Sequence, residues 1–318
     1  MRPVLGSLLA VAAVACVVAG LFLVLSFSCG EGGPGFQIAH RPRSGDLDVT
    51  FFVAADTHVG YPGLDQANRT QIDCMNSLPG KPYPPGIGGR VDRPRGLLIA
   101  GDLTDTGTEQ QWRQFAAYYG LTGEDGLLKY PVYEGTGNHD RWDDRQSTVI
   151  TDKVRARHGG LYYWWNWSDL HLICLDEAPT QAGLEWLRRT LAGIGRELPV
   201  VLFMHYPLAG PYSESNWFGS SPEKRQFGQL IRGFNILGIF HGHYHGTGHY
   251  QWRGFDVYNV GSPKHAARSF AAVHVTDSRM TVAEWDWNWW RNGWVWSHSK
   301  PINTASKAHT QPAPAAAM

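Results

Sequence analysis

Five times along this chain a short apolar stretch runs into a cluster of Asp, Asn or His, and that recurrence constrains the fold more than any other feature. Val49 to Ala55 stops at Asp56-Thr57-His58, and Gly96 to Ala100 runs into Gly101-Asp102. Tyr130 to Tyr133 leads to Gly137-Asn138-His139-Asp140, and Leu198 to Met204 ends on His205. Asn235 to Phe240 ends on His241-Gly242-His243-Tyr244-His245. Short apolar runs bounded by turn residues read as buried strands. Helical patterns lie between them, over 108–119, 181–195 and 223–232. Strands alternating with helices predict an α/β fold, in which polar groups at the carboxyl ends of strands gather in one crevice.

Charge narrows the function. The 318 residues carry 28 basic and 28 acidic side chains. Zero formal charge gives no support for nucleic-acid binding, which asks for a basic excess. A hydrophobic content of 43% supports a sizeable core.

Residues 1–30 read as a leader: Val4 to Phe27 is almost unbroken apolar sequence after Arg2. It fits either a secretory signal or a retained membrane anchor, since roughly 20 apolar residues span a bilayer. A lipidated Cys29 is a further reading. Every version exports the rest, so the protein is expected to be secreted or membrane-anchored, facing outside the cytoplasm. Residues 31–46 read as a Gly-, Pro- and Arg-rich linker, 47–300 as the domain, and 301–318 as a low-complexity, disordered tail. Within the domain only Cys74 and Cys174 remain, and Cys174, inside Leu172-Ile173-Cys174-Leu175, reads as a buried free thiol.

Carboxylate, amide and imidazole are the donors that borderline and hard cations select, and two neighbouring cations need a carboxylate between them. Gly101, Gly137 and Gly242 each precede a candidate ligand, where a sharp turn or close approach favours a residue without a side chain. Singly each cluster is weak, because an Asp-x-His at a strand end is ordinarily a cap beside a satisfied histidine. Their joint occurrence is the signal.

The series Asp56-x-His58, Gly101-Asp102-x-x-Asp105, Gly137-Asn138-His139-Asp140, His205 and Gly242-His243-x-His245 resembles the calcineurin-like metallophosphoesterase family over roughly residues 48 to 265. The resemblance implies a two-sheet β-sandwich flanked by helices. It implies that Asp56, His58 and His245 hold one ion, that Asn138, His205 and His243 hold a second, and that Asp102 bridges them. The cofactors would be two divalent or trivalent transition-metal ions such as Fe, Mn, Zn or Co. Purple acid phosphatases place a tyrosine shortly after the Gly-Asp motif. Leu103-Thr104-Asp105-Thr106 contains none here, so the chain looks more like the phosphodiesterase branches.

The chemistry implied is hydrolysis of a phosphodiester or phosphomonoester by a metal-bridging hydroxide. His139, beside a ligand, is the candidate proton donor, and Asp140 is expected to orient its ring. Asp105 reads as a helix cap or a support rather than a ligand. Arg141 and Tyr244, and also Tyr206 and Trp142, flank ligand motifs and are candidate substrate contacts. His241 is expected to pack behind the site, and His249 and His265 to be satisfied histidines.

The 14 tryptophans cluster in Tyr162-Tyr163-Trp164-Trp165-Asn166-Trp167 and in Trp285-x-Trp287-x-Trp289, the latter facing Trp294 and Trp296 across an Asn292-Gly293 hairpin turn. A cross-strand aromatic ladder is the favoured reading. A belt touching a membrane is the other, and it would suit an anchored enzyme of lipid phosphate esters. A non-catalytic, metal-braced binding protein at the cell surface is the competing function.

Overall fold

Each of the apolar runs becomes a strand. The computed structural model describes residues 38–39, 41, 43–142, 147–209, 218, 221–264, 268–288 and 290–302. The leader at 1–30, almost all of the tail, His265 and Trp289 lie outside these residues.

The run before Asp56 forms β1 (Asp48–Ala54). Side chains alternate along a strand, so Phe52 and Ala54 enter one core while Val49, Phe51 and Val53 enter another. A strand covered on both faces must be apolar throughout, which is why the run lacks a polar alternation. β2 (Leu97–Ala100) and β3 (Val132–Gly135) continue this sheet in parallel. Parallel pairing requires a crossover, supplied by α1 (Asp65–Ser77) and α2 (Glu109–Tyr119).

The chain then runs through α3 (Val149–His158), β4 (Tyr162–Trp167), β5 (Leu170–Leu175), α4 (Gln181–Ile194), β6 (Val200–Phe203), α5 (Ser221–Ile231) and β7 (Ile236–His241). It closes with β8 (Gly248–Trp252), β9 (Phe255–Asn259), β10 (Ser269–Thr276), β11 (Arg279–Asp286) and β12 (Gly293–Pro301). Among the described residues the strands form two six-stranded sheets, ordered β12-β11-β10-β1-β2-β3 and β4-β5-β6-β7-β9-β8.

Facing side chains of the two sheets, including Phe51, Leu98, Val201, Phe203 and Phe240, make the central core. Outside the first sheet, Ile72, Phe115, Tyr119 and Val154 seat α1, α2 and α3. Outside the second, Leu187, Leu191, Phe227 and Ile231 seat α4 and α5. This is the helix-flanked two-sheet sandwich expected from the resemblance. Each such side chain contributes about 1.5–3 kcal/mol when fully buried.

The helices at 108–119 and 181–195 begin where their caps put them: Thr108 Oγ1 accepts from Gln111 N–H, and Thr180 Oγ1 from Gly183 N–H. The helix at 223–232 starts slightly earlier, at Ser221. No pattern announces α1, because its buried face is partly polar. Asn68 donates to the Thr57 carbonyl (3.0 Å) and accepts from Tyr119 OH (2.7 Å), which in turn accepts from Gln71 (3.1 Å).

The stretch read as a linker is tied down where described. Ala39 N–H donates to Ala192 O (2.8 Å), and Arg43 pairs with Asp277 (2.9 Å). The Asn292-Gly293 pair does not make a tight two-residue turn. β11 and β12 pair Trp285 with Trp294, and residues 287–292 connect them. The tryptophans make aromatic contacts across strands, with Trp165 stacked on Tyr133 (4.1 Å) and Trp294 edge-on to Trp285 (5.0 Å). Cys74 and Cys174 are free thiols, the latter buried.

Candidate metal centre

β1, β2 and β3 of one sheet and β6 and β7 of the other end on the same side, which brings their polar clusters together. Ligand-type atoms of Asp56, His58, Asp102 and His245 lie within 4.8 Å of one another, and so do those of Asp102, His205 and His243. Asn138 joins the second group, its Oδ1 3.0 Å from both His205 Nε2 and His243 Nδ1. All seven residues expected from the sequence are therefore gathered, and Asp102 belongs to both groups.

The local chemistry suits cations. Asp102 Oδ2 is buried, has no hydrogen-bond partner among the described residues, and lies 3.6 Å from His58 Nε2 and 3.4 Å from His205 Nε2. His58 Nε2 faces His245 Nε2 at 3.0 Å, and His205 Nε2 faces His243 Nδ1 at 3.2 Å. Imidazole nitrogens converging beside a carboxylate oxygen without a hydrogen-bond partner offer the kind of N/O donor set that transition metals select. Burial opposes ionisation of Asp102, but His205, His58 and His139 hold its carboxyl well below the usual carboxylate range. Burial likewise opposes His205, which Asp102 and Asp56 nonetheless push up to about 10.

The backbone is bent to achieve this. Nine non-glycine residues among those described have positive φ, and five of them are Asp56 (53°), His58 (41°), Asp102 (52°), His243 (70°) and His245 (51°). Such conformations cost on the order of 1–3 kcal/mol each and persist where surrounding structure enforces them. Two glycines allow the close approach. A Cβ on Gly137, whose backbone is extended, would collide with the Asp102 carboxylate, and one on Gly242 would come within 2.6 Å of Asp56 Oδ2.

Behind the ligands the two groups differ. His58 Nδ1 lies 3.3 Å from Asp105 Oδ1, with Lys264 Nζ 3.7 Å from the same oxygen. His205 Nδ1 instead meets the Ala100 carbonyl at 2.9 Å. Both arrangements fix a ring's tautomer and orientation. Of the two roles open to Asp105, the helix cap goes to Thr108, and Asp105 supports histidines.

His139 is pinned at both ends. Its N–H donates to Asp102 Oδ1 (2.8 Å), and its Nδ1 lies 2.8 Å from the Asp105 carbonyl. With Nδ1 acting as donor there, Nε2 is the ring's remaining nitrogen. Asp140 does not hold this ring, contrary to expectation. Its buried carboxylate accepts from the N–H groups of Leu103 (3.1 Å), Thr104 (2.9 Å) and Gly137 (2.9 Å) and from Thr104 Oγ1 (2.8 Å). It fastens the Asp102 and Asn138 turns to each other, a positioning role.

Arg141 is likewise not left free for substrate. Its guanidinium pairs with Asp176 (2.7 Å) and Glu177 (3.1 Å) and donates to Thr136 Oγ1 (3.1 Å). The carbonyls of Asp176 and Glu177 accept the His205 N–H (3.0 and 3.1 Å), so this network joins the Asn138 turn to the His205 turn. Tyr206 is buried edge-on to His243, whereas Tyr244 is exposed. His241 is buried behind the site, 3.0 Å from Tyr250 OH, and burial lowers it to about 4. His249 pairs with Asp256 (2.7 Å) and stacks on His298 (4.0 Å); Lys300 already neutralises the other Asp256 oxygen. That second His/Asp cluster is a satisfied ion pair.

Lys264, the Asp105 carbonyl and the Asp176 network were not foreseen. Lys264 follows the loop Asn259-Val260-Gly261-Ser262-Pro263.

A model of the calcineurin-like phosphoesterase family matches residues 49–247, more than half of the chain. The chain belongs to the calcineurin-like phosphoesterase family. Among solved structures, it is similar to a dimetal phosphatase from Danio rerio, at 14% identity and TM-score 0.54, covering 80% of this chain and 99% of that one. It is also similar to GAP50, the anchor in the inner membrane complex of Plasmodium, at 11% identity and TM-score 0.59, covering 80% and 89%. At these identities the likeness concerns the fold of this calcineurin-like phosphoesterase. A search of curated proteins gave no match.

Proposed function

We propose that this chain is a metal-dependent phosphoric ester hydrolase that binds two cations through Asp56, His58 and His245 on one side and Asn138, His205 and His243 on the other, with Asp102 between them. The observation that carries the reading is Asp102 Oδ2, a buried carboxylate oxygen without a hydrogen-bond partner among the described residues, placed between two converging sets of imidazoles. Cations held there supply Lewis acidity and an activated water at neutral pH.

The chain's own residues do the rest. Asp102 Oδ1 and the Asp105 carbonyl fix the backbone and ring of His139, which presents Nε2 toward the leaving oxygen and delivers its proton. Asp105 keeps His58 aimed, and Asp140 with the Arg141 network keeps the strand-end turns in register.

The location we propose is outside the cytoplasm, secreted or anchored, on the strength of the apolar run Val4 to Phe27. Among the described residues no helix is long and apolar enough to cross a membrane.

The test is to load the full chain with Mn²⁺ or Zn²⁺, measure bound metal, and assay p-nitrophenyl phosphate and bis-p-nitrophenyl phosphate. Two equivalents of metal with turnover are expected. Two equivalents without turnover of any ester would favour a metal-braced binding protein.

A further inference from the structure

Exposed aromatic side chains crowd the metal centre. Among the described residues seven large hydrophobic side chains are exposed, and three of them, Tyr61 (41%), Trp142 (54%) and Tyr244 (53%), sit in turns that carry site residues. Each is fastened there by its backbone. Tyr61 N–H donates to His58 O (3.0 Å), Trp142 N–H to His139 O (3.3 Å), and Tyr244 N–H to Gly242 O (2.9 Å). Single exposed hydrophobics on a surface need no explanation, but a group of them around a polar centre marks a ligand site.

Trp142 is the informative member. Its indole lies over the imidazole of His139, centroids 4.2 Å apart and planes within 19°. His139 is the residue that protonates the leaving oxygen in the function proposed above. The substituent carried by that oxygen therefore emerges beside Trp142. Lys264 Nζ, paired with Asp105 at 3.7 Å, sits 4.6 Å over the ring of Tyr61. Arg141, whose fork would suit a phosphate dianion, is engaged with Asp176 and Glu177. With Arg141 and Lys264 both held by carboxylates, a rim of aromatic faces suits a monoanionic diester with organic groups on both sides.

Resting on that hydrolase reading, we propose that the substrate is a phosphodiester whose leaving group carries a planar ring, and that Trp142 is the platform on which the ring stacks. In the reaction one water is consumed. Its oxygen forms the new bond to phosphorus, the bond from phosphorus to the ring-bearing oxygen breaks, and His139 Nε2 delivers the proton to that oxygen. A phosphomonoester and a ring-bearing alcohol result. Stacking on an exposed aromatic face tolerates different rings, so nucleobases and simple aryl groups are both accepted.

The experiment uses the full, metal-loaded chain and two methyl phosphodiesters of matched leaving-group acidity, thymidine 5′-methyl phosphate and its base-free counterpart, 1,2-dideoxyribose 5-(methyl phosphate). kcat/KM for release of the alcohol should favour the base-bearing ester by about tenfold or more. Trp142→Ala should bring that ratio close to one, and Trp142→Phe should keep part of it. Calorimetric binding of the two corresponding phosphonates, in which a methylene replaces the bridging oxygen of the ring-bearing group and no turnover can occur, should show the same order and the same loss. Equal kcat/KM and equal binding for the pair, or a ratio unchanged in a folded, metal-replete Trp142→Ala protein, overturns the platform. If no ester is hydrolysed, bis-p-nitrophenyl phosphate included, the hydrolase reading falls, and the calorimetric comparison alone decides the ring preference.

Discussion

The two halves of the candidate metal centre are built differently. Asp56, His58 and His245 sit with two carboxylates, counting Asp102, and His58 is backed by a third from Asp105 at 3.3 Å. Asn138, His205 and His243 share only Asp102, complete their set with a neutral amide, and rest on the Ala100 carbonyl. More negative charge at short range holds a cation more tightly in a low-dielectric site. The first half is thus expected to be the retentive one and the second the exchangeable one. Placement differs as well. Asp105 and Lys264 support the first half with formal charges, whereas the second depends on the Arg141–Asp176 network that joins the Asn138 and His205 turns.

Asp102→Ala abolishes the difference and produces the largest effect: both cations are lost together, read by elemental analysis, and ester hydrolysis falls to background. His139→Ala leaves both halves filled but lowers kcat by about 10²–10⁴. Metal content unchanged with kcat also unchanged would remove His139 from the chemistry. Arg141→Met separates the halves, because it loosens the Asn138 and His205 turns alone. Affinity for the second equivalent of Mn²⁺ falls by about 10–100-fold while the first is kept, as a titration would show. Equal weakening of both equivalents would contradict the distinction.

The smallest effect lies under the first half. Glu284 accepts from Gly261 N–H (3.1 Å) and Ser269 Oγ (2.6 Å), and burial raises its carboxyl to about 7. The same loop brings Ser262 Oγ to the Asp56 carbonyl (2.8 Å) and Lys264 to Asp105. A carboxyl raised on folding binds its proton more tightly in the native state. Its contribution is complete below its ordinary value of 4.5 and is lost as pH rises through about 7. Glu284→Gln should flatten the fall in melting temperature between those limits, measured by thermal melts across that range. A slope identical to that of the parent would exclude Glu284 as its source.

Much of this was readable along the chain. Strand ends in an α/β sandwich carry their polar residues outward to one edge, so Asp56, Asp102, Asn138, His205, His243 and His245 announce themselves by following apolar runs. Other features depend on pairs far apart in sequence. Lys264 reaches Asp105 across more than 150 positions, and nothing local to either predicts the meeting. Asp140 misled because adjacency in sequence suggested contact with the His139 ring. The turn Asn138–Arg141 folds its carboxylate back onto the Gly137 N–H instead, leaving the ring to the Asp105 carbonyl. Arg141 misled in the same way, since proximity to a ligand motif cannot show that Asp176 already holds the guanidinium. The left-handed conformations of five ligand candidates were also hidden, because a positive φ is uncommon for any residue but glycine, even for Asp and His, which adopt it more readily than most.

The most direct test of the two-part centre is anomalous diffraction from crystals of the full chain grown with Mn²⁺. Two peaks are predicted, one among Asp56, His58 and His245, the other among Asn138, His205 and His243, both contacting Asp102, and brief chelation should weaken the second before the first. A single peak, or two peaks that do not share Asp102, would contradict the account.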